Sequence, residues 1–347
     1  MRAAVMDAFR QPLVVREMPD PDCPADGVIV QVEASGICRS DWHVWQGHWP
    51  LEFPVVMGHE IAGHVVAVGP QVRRVKMGER VVVPFCGGCG VCTWCIDGHQ
   101  HICSDPWVPG FSPQWPGGFG PLVPVAHADL NAIALPEAVS SVAAAGMGCR
   151  YMTAWHGLVD RGRIRPGEWL AVYGCGGVGL SAVQIASALG AQAIAVDLDP
   201  AKLEMAAALG AVATVNARAN DPVDAVRALT GGGAHVAVDA LGLAETCRNA
   251  LMSLRKRGRH IQIGIATESD RDGILLPTDT ILGRELEVIG SYGMPLGGYA
   301  PLFAMIESGR LAPERLVTRQ VGVEETGPVL ESMGRYDTRG IVVITSF

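Results

Sequence analysis

The sequence predicts an α/β protein of two domains, one built on a doubly wound parallel sheet and the other mostly β. Length is the first observation: 347 residues, at roughly 100–200 per domain, suffice for two cores. The second is the alternation of apolar strand-like runs with helix-like runs from Trp169 to Ile289, the pattern of a parallel sheet with helices on both faces. The third is what precedes it: short apolar strands broken by Gly and Pro, with no long helical pattern before about Ser140.

Within the alternating half, Trp169-Leu170-Ala171-Val172-Tyr173 reads as a strand and Gly174-x-Gly176-x-x-Gly179 as the turn after it. The spacing suits a dinucleotide: the first glycine makes a tight turn, the second lets the backbone approach a pyrophosphate, and the third lets the helix pack closely. Gly177 and Val178 complete the turn, and a helix from Leu180 to Leu189 would aim its first amides at the diphosphate. The strand Ala193 to Val196 ends at Asp197, 18 residues beyond Gly179, where a carboxylate can accept both adenosine ribose hydroxyls. A 2′-phosphate there would meet a like charge, and Leu198 stands where an Arg would bind that phosphate, so NAD is expected over NADP. Lys202 points the other way, as a cation able to pair with a phosphate.

Helices near Pro200–Leu209, Val223–Leu229 and Glu245–Leu254 alternate with strands at Val212–Val215, His235–Val238, His260–Ile263 and Leu286–Ile289, and a helix near Pro301–Ser308 and a strand at Ile341–Ile344 follow. The uncharged run Trp169 to Val196 is long enough to span a bilayer. Its Gly-rich centre would break a spanning helix and makes it a buried strand, turn, helix and strand.

Composition excludes several classes. With 49% apolar and 18% charged residues the chain is globular. A formal net charge of −8, with no basic block longer than Arg255-Lys256-Arg257, argues against nucleic-acid or anionic-membrane partners. The opening Met1 to Asp7 reads as a short strand and not a secretion signal, which predicts a cytoplasmic protein.

Ten cysteines in such a chain point to metal ligands or buried thiols. Cys89, Cys92, Cys95 and Cys103 form C-x2-C-x2-C-x7-C, with Gly90 and Gly98 supplying turns. Four thiolates at that spacing can close a tetrahedron around a structural zinc, at Zn–S distances of about 2.3 Å. Cys86 could exchange into the set, which would leave Cys103 idle, so it ranks second. Cys38, His59 and Cys149 are also metal-capable and lie where apolar runs meet Gly, but they share no local motif. Cys23, Cys175 and Cys247 have no partners at metal spacing.

Gly58-His59-Glu60-x2-Gly63-x5-Gly69-x2-Val72, Cys38-Arg39-Ser40-Asp41 with His43, and the cysteine lobe occur in one order along the chain. In these motifs the sequence resembles the zinc-containing alcohol dehydrogenases of the medium-chain dehydrogenase/reductase superfamily, over essentially its whole length. The resemblance implies a GroES-like catalytic domain from residues 1–148 and 290–347, carrying the zinc lobe at 86–103, and a Rossmann coenzyme domain at 149–289. It implies a catalytic zinc held by Cys38, His59 and Cys149 with an open fourth position, giving two zinc ions per chain. Ser40 and His43 would relay the alcohol proton, Asp41 would orient His59, and Glu60 would stand behind the metal. Arg39 and Arg339 would meet the pyrophosphate, Thr153 and Val178 would press on the nicotinamide, Lys202 would meet the adenosine ribose, Ile265 would touch the coenzyme, and Phe85 would wall the substrate pocket. Trp49, Trp107, Trp115 and Phe119 are unranked lining residues.

Polyol dehydrogenases of the superfamily usually carry Glu near the third ligand and often lack the lobe, so Cys149 and the intact lobe favour oxidation of a primary or secondary alcohol by NAD. The alternatives are a polyol or aldehyde-specific dehydrogenase and a homologue that has lost its chemistry, against which Cys38, His59, Cys149, Ser40 and His43 speak. The partners expected are a small alcohol or aldehyde and further copies of the chain, a homotetramer ahead of a dimer, since the length resembles often tetrameric bacterial forms.

Overall fold

The computed structural model describes residues 1–266, 270, 273–336 and 338–347. Its chain divides into two units, Met1–Met152 with Pro295–Phe347, and Thr153–Met294.

In the first unit, Val28–Ile37 is buried on both faces except at Gln31 and Glu33, and Glu60–Val68 is wholly buried over its first four residues. A sheet runs in the order Val317–Gly322, Ile341–Ser346, Val28–Ile37, Glu60–Val68, Arg80–Val83, Ile133–Ala134, with Leu122–Val125 also paired to Val28–Ile37. Val28, Val30, Val32, Ile61, Val65, Val81 and Val123 form one core. Residues Ala3 to Met6 pack with Ile37, Met57, Phe119, Leu330 and Ile344 in another. These strands, of ten and nine residues, are longer than predicted. Their register matters most: Gly36 stands opposite Glu60, so the end of one strand and the start of the other bring Cys38 and His59 to the same place.

A continuous helical run supplies the third segment. Ser140 caps Ser141–Gly146 by accepting from the Ala143 N–H at 3.1 Å, and the run goes on through a π-helical turn, Met147–Tyr151, and Met152–His156. A π turn re-aims the side chains that it carries. Cys149 sits on it, within the first unit.

The second unit holds one six-stranded, all-parallel sheet in the order Ala213–Asn216, Gln192–Asp197, Trp169–Tyr173, Ala234–Asp239, Leu254–Gln262, Glu287–Gly290. Helices Pro200–Ala208 and Pro222–Leu229 start alike: Asp199 and Asp221 cap them and a proline follows, where its missing N–H costs nothing. Strand Leu254–Gln262 begins six residues before the predicted His260, because Arg255-Lys256-Arg257 lies at its exposed start, beside a register shift between Ala234 and Val236. Helix Thr278–Arg284 was not predicted; it has seven residues, none buried, and so no apolar stripe. Among the described residues no helix is long and apolar enough to cross a membrane.

Candidate metal centres and coenzyme site

Cys38, His59, Glu60 and Cys149 are all buried, and one ligand atom from each lies within 4.8 Å of the others. Asp41 ties two of them together. It is fully buried on helix Arg39–Trp45; one carboxylate oxygen accepts the Cys38 N–H at 2.8 Å and the other accepts from His59 Nδ1 at 2.8 Å. With Nδ1 so engaged, His59 Nε2 is the remaining ring nitrogen; it is buried without a hydrogen-bond partner, the atom that a metal would take in place of a proton. The thiols point the same way. A hydrogen bond from Cys149 holds the Cys38 thiol well below its usual range, while that bond and burial raise Cys149, so Cys38 ionises readily and Cys149 becomes anionic only beside a cation. His59 itself is drawn well above its usual value, burial opposing and Asp41 and Cys38 prevailing. The donor set therefore fits zinc.

Small residues let these segments close. A Cβ on Gly148 would stand 2.7 Å from Glu60 Cα, and one on Gly36 would stand 2.0 Å from Glu60 Oε2. Gly58, at φ +98°, turns the chain before His59, and a Cβ there would strike the Phe119 ring at 2.5 Å. Arg150, which sequence reasoning missed, clamps Glu60: its Nε donates to one carboxylate oxygen at 3.0 Å and its Nη2 to the other. Burial still lifts Glu60 to about 7, with Arg150 opposing.

Aromatic rings surround His59. Phe85 meets it edge-on at 5.9 Å between centroids and Phe111 at 5.6 Å, and Trp49 packs on both Phe111 and His43. Phe111 was missed because nothing near it in sequence marks it. Trp107 meets Trp115 edge-on at 6.0 Å between centroids, and Phe119 is buried in the core cluster against which Trp49 and Phe111 pack. Ser40 and His43 are three apart on helix Arg39–Trp45 and so share a face. His43 Nδ1 lies 2.8 Å from His48 Nδ1. Burial, then His48 and Arg39, push the His43 imidazole down to about 4. Arg39 donates to the Met333 carbonyl at 2.8 Å and stacks over Trp42 and Tyr336. Arg339 is exposed.

In the lobe, Cys89, Cys92, Cys95 and Cys103 bring their sulfurs within 4.8 Å of one another, and Cys86 is not in that group. Backbone N–H groups of Cys92 and Asp105 point at Cys89 and Cys103 sulfur. Backbone N–H groups bring Cys92 down to about 6, whereas burial raises Cys95 to about 12. The two clusters are candidate zinc sites, one with four thiolates and one with Cys, His and Glu donors.

In the second unit, helix Gly177–Ala188 starts with no side-chain cap and no acid in its first turn, which leaves its amides for an anion. A Cβ on Gly179 would fall 1.8 Å from the Gly174 carbonyl oxygen, and Gly174 has φ +94°, so both must be glycine. Gly176 faces open space, with nothing within 4 Å of such a Cβ, as a backbone meeting a pyrophosphate requires. Val178 is half-buried in the same turn and Ile265 is 39% exposed. Asp197 already accepts the N–H groups of Cys175, Leu198 and Asp199 at 2.7, 2.7 and 3.0 Å, which leaves it about one of four acceptor positions. Lys202 is buried, and Thr153 Oγ1 is buried without a hydrogen-bond partner. Arg218, also missed, donates from Nε to the carbonyl of Leu198, the residue after this acid, at 3.2 Å.

The family model for the alcohol dehydrogenase GroES-like domain matches residues 24–137, and that for zinc-binding dehydrogenases matches residues 177–308. An alcohol dehydrogenase of Geobacillus stearothermophilus is 35% identical over 84% of this chain and 84% of its own. A sorbitol dehydrogenase of Bacillus subtilis is 32% identical over 95% and 93%. The structure of the alcohol dehydrogenase TADH from Thermus sp. ATN1 superposes with a TM-score of 0.91 at 33% identity, covering 100% of both chains. The chain thus belongs to the zinc-containing alcohol dehydrogenase family of the medium-chain dehydrogenase/reductase superfamily.

Proposed function

We propose that this chain is a zinc-dependent, NAD-linked alcohol dehydrogenase that interconverts a primary or secondary alcohol with its aldehyde or ketone. The observation that carries the reading is the buried Cys38–His59–Cys149 set, in which His59 Nε2 has no partner. Zinc held there would supply a Lewis acid that lets an alcohol hydroxyl lose its proton near neutral pH, and NAD would accept the hydride. Asp41 fixes the His59 tautomer and ring plane. Phe85, Phe111 and Trp49 form an apolar wall that keeps water from the reacting carbon. Ser40 takes the proton first and His43 carries it onward; an imidazole pushed down to about 4 is neutral at pH 7 and passes a proton to solvent rather than holding it. The four-cysteine lobe holds the second zinc and stabilises its loop. Arg39, Arg339, Lys202, Thr153, Val178 and Ile265 serve the coenzyme, and the assembly is a homo-oligomer, with a tetramer favoured.

Asp197 favours NAD through its charge, even with most of its lone pairs engaged. Arg218 supports a second reading, use of NADP, since a guanidinium beside the ribose position suits a 2′-phosphate. The similarity to a sorbitol dehydrogenase keeps polyols within range. The experiment is a panel of primary alcohols, secondary alcohols and polyols, each with both coenzymes, read by absorbance of the reduced nicotinamide. The highest kcat/KM is expected with a simple alcohol and NAD. A polyol optimum would replace the substrate class, and no turnover with any alcohol would remove the dehydrogenase reading.

A further inference from the structure

Asp239 ends strand Ala234–Asp239 fully buried and carries more donors than any other carboxylate described above. One of its oxygens accepts from Leu241 N–H at 3.0 Å, Gly242 N–H at 3.1 Å and Thr246 Oγ1 at 2.9 Å. The other accepts from Gln262 Nε2 at 2.8 Å, and Gln262 Nε2 also donates to the Gly264 carbonyl at 2.9 Å. The Asp239 backbone carbonyl takes the Ile263 and Gly264 N–H groups at 3.1 and 2.9 Å. One residue therefore holds two loops, 240–242 and 263–265, each leaving the carboxyl end of its strand.

The loops it holds lie in backbone contact. A Cβ on Gly264 would fall 2.1 Å from Gly242 N, and one on Gly242 would fall 2.2 Å from the Ile265 carbonyl oxygen. Leu241 reaches the nucleotide turn itself, since a Cβ on Gly174 would meet its Cγ at 2.5 Å. The sheet order reverses between Trp169–Tyr173 and Ala234–Asp239, and a dinucleotide lies across such a switch point with one nucleotide on each half. Asp197 stands on the adenosine half. Asp239, Leu241 and Ile265 stand on the other.

We propose that Asp239 is a positioning residue for the nicotinamide half of the coenzyme, acting through the loops 240–242 and 263–265 that its carboxylate draws together. This rests on the coenzyme reading above. Asp239→Asn keeps the shape but turns an amide N–H₂ toward the Gly242 N–H or Gln262 Nε2, setting donor against donor. Binding is measured on the whole chain, with NADH by nicotinamide fluorescence and AMP by calorimetry. NADH is expected to bind about tenfold more weakly to the variant, with AMP affinity within about twofold and thermal unfolding still cooperative. Gln262→Met, which removes one of the four donors to the Asp239 carboxylate and keeps the volume, is expected to weaken NADH in the same direction by about threefold. It carries the test should Asp239→Asn fail to fold. Unchanged NADH affinity in the folded variants, or equal loss of NADH and AMP, would overturn the proposal. A wild-type chain that binds neither ligand would remove the coenzyme reading, and the proposal with it.

Discussion

Burial holds the His43 imidazole down to about 4, with His48 and Arg39 adding to the effect, and that one shift has two consequences. An unfolded histidine titrates near about 6.5, so below that pH the unfolded chain binds a proton that the native ring refuses. The stability contributed by neutral His43 is thus complete above pH 6.5, falls as pH drops toward 4, and has gone below it. Its limit is on the order of 3 kcal/mol. Denaturant titrations from pH 7.5 to 4 are expected to show wild type losing more stability than His43→Gln across this window. The same substitution is expected to slow alcohol oxidation by about 10²-fold, most at the low-pH end, where solvent accepts the proton poorly. Parallel stability curves with unchanged pH–rate profiles would contradict both roles of the ring. Histidine 43 was legible in the sequence from its place after Cys38-Arg39-Ser40-Asp41, whereas its partner His48 was not, since only the fold brings the two Nδ1 atoms to 2.8 Å.

Two local elements differ in how readable they were. The cysteine lobe packs four donors into one short loop, so spacing alone defines it. The other cluster draws on a strand end, a strand start and a π-helical turn; the Gly36–Glu60 register and the approach of Gly148 to Glu60 assemble it. No local spacing encodes either, nor the Arg150 clamp or the Phe111 wall. Asp239 was equally hidden, because a buried acid at a strand end declares itself only through its donors. The approach of the π-helical turn gives a direct check. Gly148→Ala would drive a methyl to within 2.8 Å of Glu60 Cβ, and the turn must retreat. A loss of about 1–3 kcal/mol of stability is expected, with weaker metal binding at the Cys38 cluster and the lobe zinc retained. Metal titration against a chelator would resolve the two sites, and unchanged affinity at both would contradict the packing described here.

Over the whole molecule, the parallel sheet of the second unit was the most legible part, since six apolar runs with helices between them admit few other arrangements. The exposed helix Thr278–Arg284 and the basic start of strand Leu254–Gln262 escaped notice because they bury little. The two candidate zinc sites would divide structure from chemistry: four thiolates leave no open position, whereas a zinc held by Cys38, His59 and Cys149, with Glu60 turned to Arg150, would keep one. The most direct test is zinc content per folded chain, measured together with NADH formation, in wild type and in Cys38→Ser. About two zinc ions with turnover are expected in wild type, and about one zinc with a cooperative thermal transition but no turnover in the variant. A folded wild-type chain that turns over alcohol with a single zinc, or a Cys38→Ser variant that keeps both its metal and its activity, would contradict the division.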